Sequence, residues 1–172
     1  VQKRTKEGWH GFYPHASKDP AELRYEFLKL MAQEIDFSAR VVVGRKIPAI
    51  YQQRHNEQPR EFYADLMSHL LKYSGKIDPL ILDVAERGSS TSNLNLQHAV
   101  DIAQQRSRRG TVTHELRNTT KFNVQPYDHE ILLALADYSL WTVQRVYEKG
   151  DEKFFGLLEP KIVLVHDVCL LY

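Results

Sequence analysis

Three carboxylates stand where acid-driven chemistry would need them. Asp137 is the single charge in the run Ile-Leu-Leu-Ala-Leu-Ala-Asp-Tyr-Ser-Leu-Trp-Thr-Val, from Ile131 to Val143. A helix that is apolar nearly all round reads as a buried one. A charge inside it must be paired, bound to a metal or shifted in pKa. Asp83 lies near the end of Leu80-Ile81-Leu82-Asp83-Val84, a strand-like run in which Ile81 and Asp83 share the face opposite Leu80, Leu82 and Val84. Open α/β sheets place their sites at the C-terminal ends of such strands. Glu86, three residues on, can converge on the same place. One acid at a strand end and another on a later helix fit two-metal phosphoryl chemistry, in which ions about 3.5–4 Å apart clamp the attacking and leaving oxygens. Mg2+ or Mn2+ is the expected cofactor, with Asp83 and Asp137 as metal ligands, because hard cations take oxygen donors and keep several waters. Structural roles compete with this reading. Asp83 can cap a turn or pair with Arg87, and Asp137 can pair with Arg24 or Arg145.

Arg106, Arg108, Arg109, Arg117 and Lys121 fall in one short stretch holding a single acid, Glu115. Such a cluster can contact phosphates, and a solvated helix end has the same composition. Trp141, Tyr138, Tyr147, Phe154 and Phe155 occur at helical spacing, which favours a core over a nucleic-acid platform. His15, followed by Ala16 and Ser17, is the histidine best placed for a role. The others show no zinc-ligand spacing. Cys169 is the lone cysteine, so internal disulfides and multi-cysteine zinc sites are excluded. There is no phosphate-loop glycine pattern, no Gly-x-Ser-x-Gly elbow and no dinucleotide fingerprint.

Alternating strands and helices must position these residues. Asp19, Pro20 and Glu22 form a capping-box pattern ahead of a helix with Leu23, Phe27, Leu30 and Met31 on one face. Residues up to about Tyr13 read as extended or irregular. Arg40 to Val43 reads as a short strand that Gly44 ends. A helix is predicted from about Pro59 to Tyr73, with Phe62, Leu66, Leu70 and Tyr73 on one face and Gly75 as its αL stop. A strand is predicted over Pro79–Val84. Ser92 or Asn93 opens a helix to about Arg108, and Phe122 to Val124 is a candidate strand. Asp128 is placed to cap the apolar helix, which Gly150 ends near Glu148. Asp151 then caps a short helix bearing Phe154, Phe155 and Leu158. The tail from Ile162 is compatible with helix or strand.

The pattern predicts an α/β fold with parallel pairing. No repeat or Gly/Ser linker divides residues 1–172, which are read as a single domain. Two clear strands are too few for a stable sheet, so further strands are expected before Val1. A net charge of +1 supplies no global field toward nucleic acid. No run approaches the roughly 18 apolar residues of a membrane span. With one cysteine and no secretory signal at the start, a cytoplasmic location is the expectation.

The run Ala136-Asp137-Tyr138 … Trp141 … Gln144-Arg145 … Glu148-Lys149-Gly150-Asp151 resembles the C-terminal signature of the family catalogued as domain of unknown function 3800. Phe12-Tyr13-Pro14-His15-Ala16-Ser17-Lys18-Asp19, with Arg24 after it, is similar to that family's Phe-His-Ala-x-x-Asp…Arg segment. The strand ending in Asp83 and its Arg-Gly turn also fit. The resemblance implies a ribonuclease H-like mixed sheet flanked by helices, incomplete at the N-terminus. Its acids lie on a first strand, a later strand and a late helix. Asp83 and Asp137 match the second and third, and an Asp-Glu-Ser-Gly element for the first is not present. The implied activity is a divalent-metal-dependent nuclease or related phosphoryl-transfer enzyme, with Asp83, Asp137 and Glu86 catalytic and Arg106, Arg108, Arg109 and Lys121 on nucleic acid. The alternative is a non-catalytic binding module that keeps the fold, with Asp137 structural.

Overall fold

Most element ends are set by residues with special backbone preferences. Pro20 takes extended backbone and starts α1 (Ala21–Glu34). Pro48 and Pro59 sit in the first turns of α2 (Pro48–His55) and α3 (Pro59–Leu71), where a missing N–H costs nothing. Asn56, at φ 48°, takes the left-handed conformation that closes α2. The Ser92 Oγ accepts from the Asn95 N–H at 3.3 Å, capping α4 (Asn93–Ser107). Glu130 caps α5 (Ile131–Lys149) through the Leu132 N–H. Asp128, the expected cap, lies outside the described residues. Gly150, at φ 64°, ends α5 as expected. A short α6 (Phe155–Leu158) follows, its approach held by the Asp151 carboxylate on the Lys153 N–H.

The computed structural model describes residues 2–5, 8–11, 13–72, 80–107, 120–126 and 130–168. Within them the chain is α/β, with six helices and six strands. β1 (Gln2–Thr5) and β2 (Gly8–Gly11) form an antiparallel hairpin with Gln2 opposite Gly11. β3 (Ala39–Val43) pairs with β6 (Ile162–Asp167), so the start of the tail is a strand. β4 (Leu80–Ala85) pairs in parallel with β5 (Thr120–Gln125), placing Asp83 opposite Asn123. No helix among the described residues is long and apolar enough to cross a membrane.

The chain divides into two compact units, Val1–Ala39 with Pro126–Val163, and Arg40–Gln125 with Leu164–Tyr172. In the first, Ala16, Leu28, Met31, Tyr138 and Leu158 are sealed from solvent. Leu30, expected on the inner face of α1, is 46% exposed, and Leu28 takes its place beside Met31. In the second, Ala64 and Leu71 of α3 and Ala99, Val100 and Ala103 of α4 pack with Leu80 of β4. Leu82 and Phe122 complete that layer of helices on a parallel pair. Gly44 lets the chain leave β3 close to α3, since a Cβ there would come 2.6 Å from the Leu66 Cδ2.

Candidate functional site

In the first unit, α5 is less buried than its composition suggests. Leu133, Ala134, Tyr138, Ser139, Thr142 and Val143 face inward, whereas Leu140 is 52% exposed and Ile131 and Leu132 are also on the surface. Asp137 sits between these faces with its side chain 41% exposed. The expectation of a fully buried charge is therefore corrected. Asp137 keeps partial hydration, so the desolvation that would force an arginine partner on it is reduced.

The partners of Asp137 come from the turn after Tyr13. The His15 carbonyl accepts from the Lys18 and Asp19 N–H groups at 3.0 and 2.9 Å, which folds residues 15–19 into a turn. That turn points the Ala16 N–H at the Asp137 Oδ2, 2.8 Å away. The His15 Nδ1 lies 3.3 Å from the same oxygen and 3.3 Å from the Ser17 Oγ. Among the described residues no donor reaches the Oδ1. Neither Arg24 nor Arg145 pairs with Asp137. Arg145 binds Asp151 through Nε at 3.0 Å and through Nη2.

Asp19 is the site residue that sequence reasoning assigned to another task. It makes no helix cap. Its buried carboxylate instead accepts from the His15 N–H at 2.8 Å and the Tyr138 hydroxyl at 2.6 Å. Burial, then this hydrogen bond to a carboxylate, pushes the Tyr138 hydroxyl far above its usual range, so it stays a donor. Asp19 thus fastens the turn to the residue adjoining Asp137. Tyr138→Phe leaves a buried carboxylate short of a donor, and we expect a loss of about 2 kcal/mol in urea unfolding. A loss under a few tenths would show that the turn is anchored elsewhere.

In the second unit, Asp83 is exposed on the face of β4 that also carries Ile81, itself 56% exposed. The expected strand faces hold, with Leu80 and Val84 buried opposite. The Asp83 Oδ1 accepts from the Asn123 Nδ2 at 3.1 Å and the Gln125 Nε2 at 3.3 Å, both on β5. Its Oδ2 meets no described donor, and Arg87 instead gives its backbone N–H to the Thr91 Oγ1. Glu86 follows β4 with an exposed side chain, its N–H bonded to the Gln125 carbonyl at 2.9 Å.

Of the expected phosphate contacts, Arg106 turns inward. Its Nη2 binds the Asp65 Oδ1, and its Nη1 reaches the Ser68 Oγ and the Asp65 carbonyl. Those donors are spent within the protein. Arg108, Arg109 and Arg117 lie outside the described residues, as does Cys169, whereas Lys121 is exposed on β5. The cluster around Asp65 went unread in the sequence. Only the i,i+4 spacing of Asp65 and His69 signals it. His55, Asp65 and Arg106 line a pocket of about 250 Å3. The aromatic residues of α5 largely serve the core, the Tyr138 ring packing tilted against Phe27 at 4.6 Å and Trp141 tilted against Phe154 at 5.1 Å.

Among the described residues no group of three or more His, Cys, Asp or Glu side chains converges to hold a metal ion. The donors present fit a hard cation by type, since Asp83 and Asp137 each offer one carboxylate oxygen that no described residue uses. Neither carboxylate is by itself a cage. No family model matches this chain, and no curated protein or solved structure matches it either.

Proposed function

We propose that this protein is a divalent-metal-dependent nuclease, or a closely related phosphoryl-transfer enzyme, of ribonuclease H-like fold acting in the cytoplasm. One observation carries the reading. Asp137 is fixed through a single oxygen, by the Ala16 N–H and His15, while its other oxygen is left without a described donor on a half-exposed side chain. On a side chain 41% exposed, that oxygen is open to water or to a cation. A ligand to metal is oriented by such outer partners and keeps an oxygen for the ion. Asp83 shows the same one-sided anchoring in its own unit. Asp137 in the first unit and Asp83 in the second are each proposed as a ligand to Mg2+ or Mn2+, which would supply charge stabilisation and an activated water. His15 and Ala16 orient Asp137, and of the basic stretch expected on nucleic acid Lys121 is the described residue that stays exposed.

A second reading, a binding module without catalysis, draws on the absence of a three-donor group among the described residues. Cleavage of labelled DNA and RNA, single- and double-stranded, with Mg2+ or Mn2+ against EDTA separates the two. Metal-dependent cutting is expected, falling roughly 100-fold in Asp137→Asn and about tenfold in His15→Ala. Equal rates in Asp137→Asn and the parent would remove Asp137 from the chemistry. Binding without cutting would establish the module.

A further inference from the structure

Arg24 lies on α1, in the same unit as Asp137. Its guanidinium carbon is 5.0 Å from the centre of the Trp141 ring. Trp141 is one helical turn beyond Asp137 on α5, so the two are neighbours on the helix surface. Arg145, a further turn along, lies 5.6 Å from the same ring, but Asp151 takes its Nε and Nη2. That is how a structural arginine looks here. Arg24 differs, because its Nε is buried without a hydrogen-bond partner. No described residue accepts from any other side-chain N–H of Arg24.

A guanidinium does not lose its proton. Held half-buried without an acceptor, it carries a desolvation cost that the indole face offsets only in part. The acceptor whose shape suits the planar fork is an oxyanion, and phosphate binds it through two parallel hydrogen bonds. We propose that Arg24, seated on Trp141, is a phosphate-binding residue, taking an oxyanion of the substrate on the part of the first unit that carries Asp137. That the phosphate belongs to nucleic acid rests on the reading of the function given above. A phosphate placed there meets the negative charge of Asp137, so a divalent cation on that carboxylate should strengthen its binding.

Trp141 supplies the readout. The chain has two tryptophans, and in a Trp9→Phe background the fluorescence of Trp141 alone reports the site. Titration with a single-stranded oligonucleotide in EDTA is expected to change that emission. Arg24→Gln should weaken the apparent affinity about tenfold and lower the salt slope by about one. Arg24→Lys keeps a charge on the ring without the fork and should fall between them. It decides the matter if Arg24→Gln loses its circular dichroism, since full affinity in Arg24→Lys overturns the proposal. Inorganic phosphate, titrated in parallel, separates the sources. A weaker response to it supports a phosphodiester backbone, whereas an equal, Arg24-dependent response keeps the phosphate contact and counts against nucleic acid. Binding that depends on Arg24 but is not strengthened by Mn2+ keeps the contact and counts against the metal. Indistinguishable curves for Arg24→Gln and the parent, or no response to either probe, overturn it.

Discussion

Replacing Asp65 by alanine is expected to lower the stability of this protein by about 3–5 kcal/mol and its Tm by roughly 10 °C. The side chain is buried, with Oδ2 on the His55 Nε2 at 3.0 Å and Oδ1 on the Arg106 Nη2. Its backbone carbonyl also accepts from the Arg106 Nη1 and, at 2.6 Å, from the Ser68 Oγ. Burial pushes the Asp65 carboxyl up, but hydrogen bonds from Arg106 and His55 and the Arg106 charge overcome it and hold the group below its usual range. Alanine leaves a half-buried guanidinium and a buried imidazole without their carboxylate partner. The cost comes from those stranded partners more than from the lost contact. Pairing Asp65→Leu with Arg106→Met should therefore recover much of the loss, giving a coupling energy of at least about 2 kcal/mol in a double-mutant cycle by urea unfolding. Additive losses would show that the two residues act independently.

The second large effect is acid lability, and it centres on His69. Both ring nitrogens of this buried histidine lack hydrogen-bond partners, the Asp65 Oδ1 being 3.9 Å from its Nε2. Burial, then the positive charge of Arg106, lowers its pKa from 6.5 to about 4, against the opposing pull of Asp65. His166, with its ring 5.3 Å away, and Lys72 push the same way. Between those values the unfolded chain takes up a proton that the folded chain refuses, so stability rises with pH there. The contribution is complete above about pH 6.5 and is lost as pH falls through 4, amounting to about 3 kcal/mol. Burial also depresses His166, which steepens the fall in the same window, whereas the depressed Asp65 adds its loss only below the ordinary carboxylate range. Urea midpoints measured from pH 7 to 4 should drop steeply in the parent and much less in His69→Leu. Parallel profiles would place the acid sensitivity elsewhere.

The elements that were legible in the sequence are those with a strong apolar period and punctuating residues. The apolar run from Ile131 with its Gly150 stop, the Ser92-capped helix α4 and the strand carrying Asp83 all stand where expected. α2 was not legible. Pro48–His55 is mostly polar, and what marks it is Pro48 at one end and left-handed Asn56 at the other. For the candidate site, sequence singles out residue types and not their partners. Asp137 stood out as a charge among apolar neighbours, yet composition alone could not show that the outer face of α5 lies open. Asp19 matched a capping pattern, but a tyrosine far along the chain competed for its carboxylate and won. Arg106 was read from its basic neighbours, while the acid that holds it lies on a different helix. Short-range spacing carries no record of such distant pairs.

One consequence concerns the order in which the protein can form during synthesis. The bonds from Tyr138 to Asp19 and from Ala16 to Asp137 span 119 and 121 residues. Closing a chain of that length costs about 4 kcal/mol of entropy beyond the constant for closure itself. Leu28 and Met31 therefore emerge from the ribosome long before Tyr138 and Leu158, the residues that bury them. In that interval α1 carries an uncovered apolar stripe, open to chaperones or to another nascent chain. Most of the second unit, Arg40–Gln125, is synthesised within this wait, so nearly all of its core can assemble before the first unit closes.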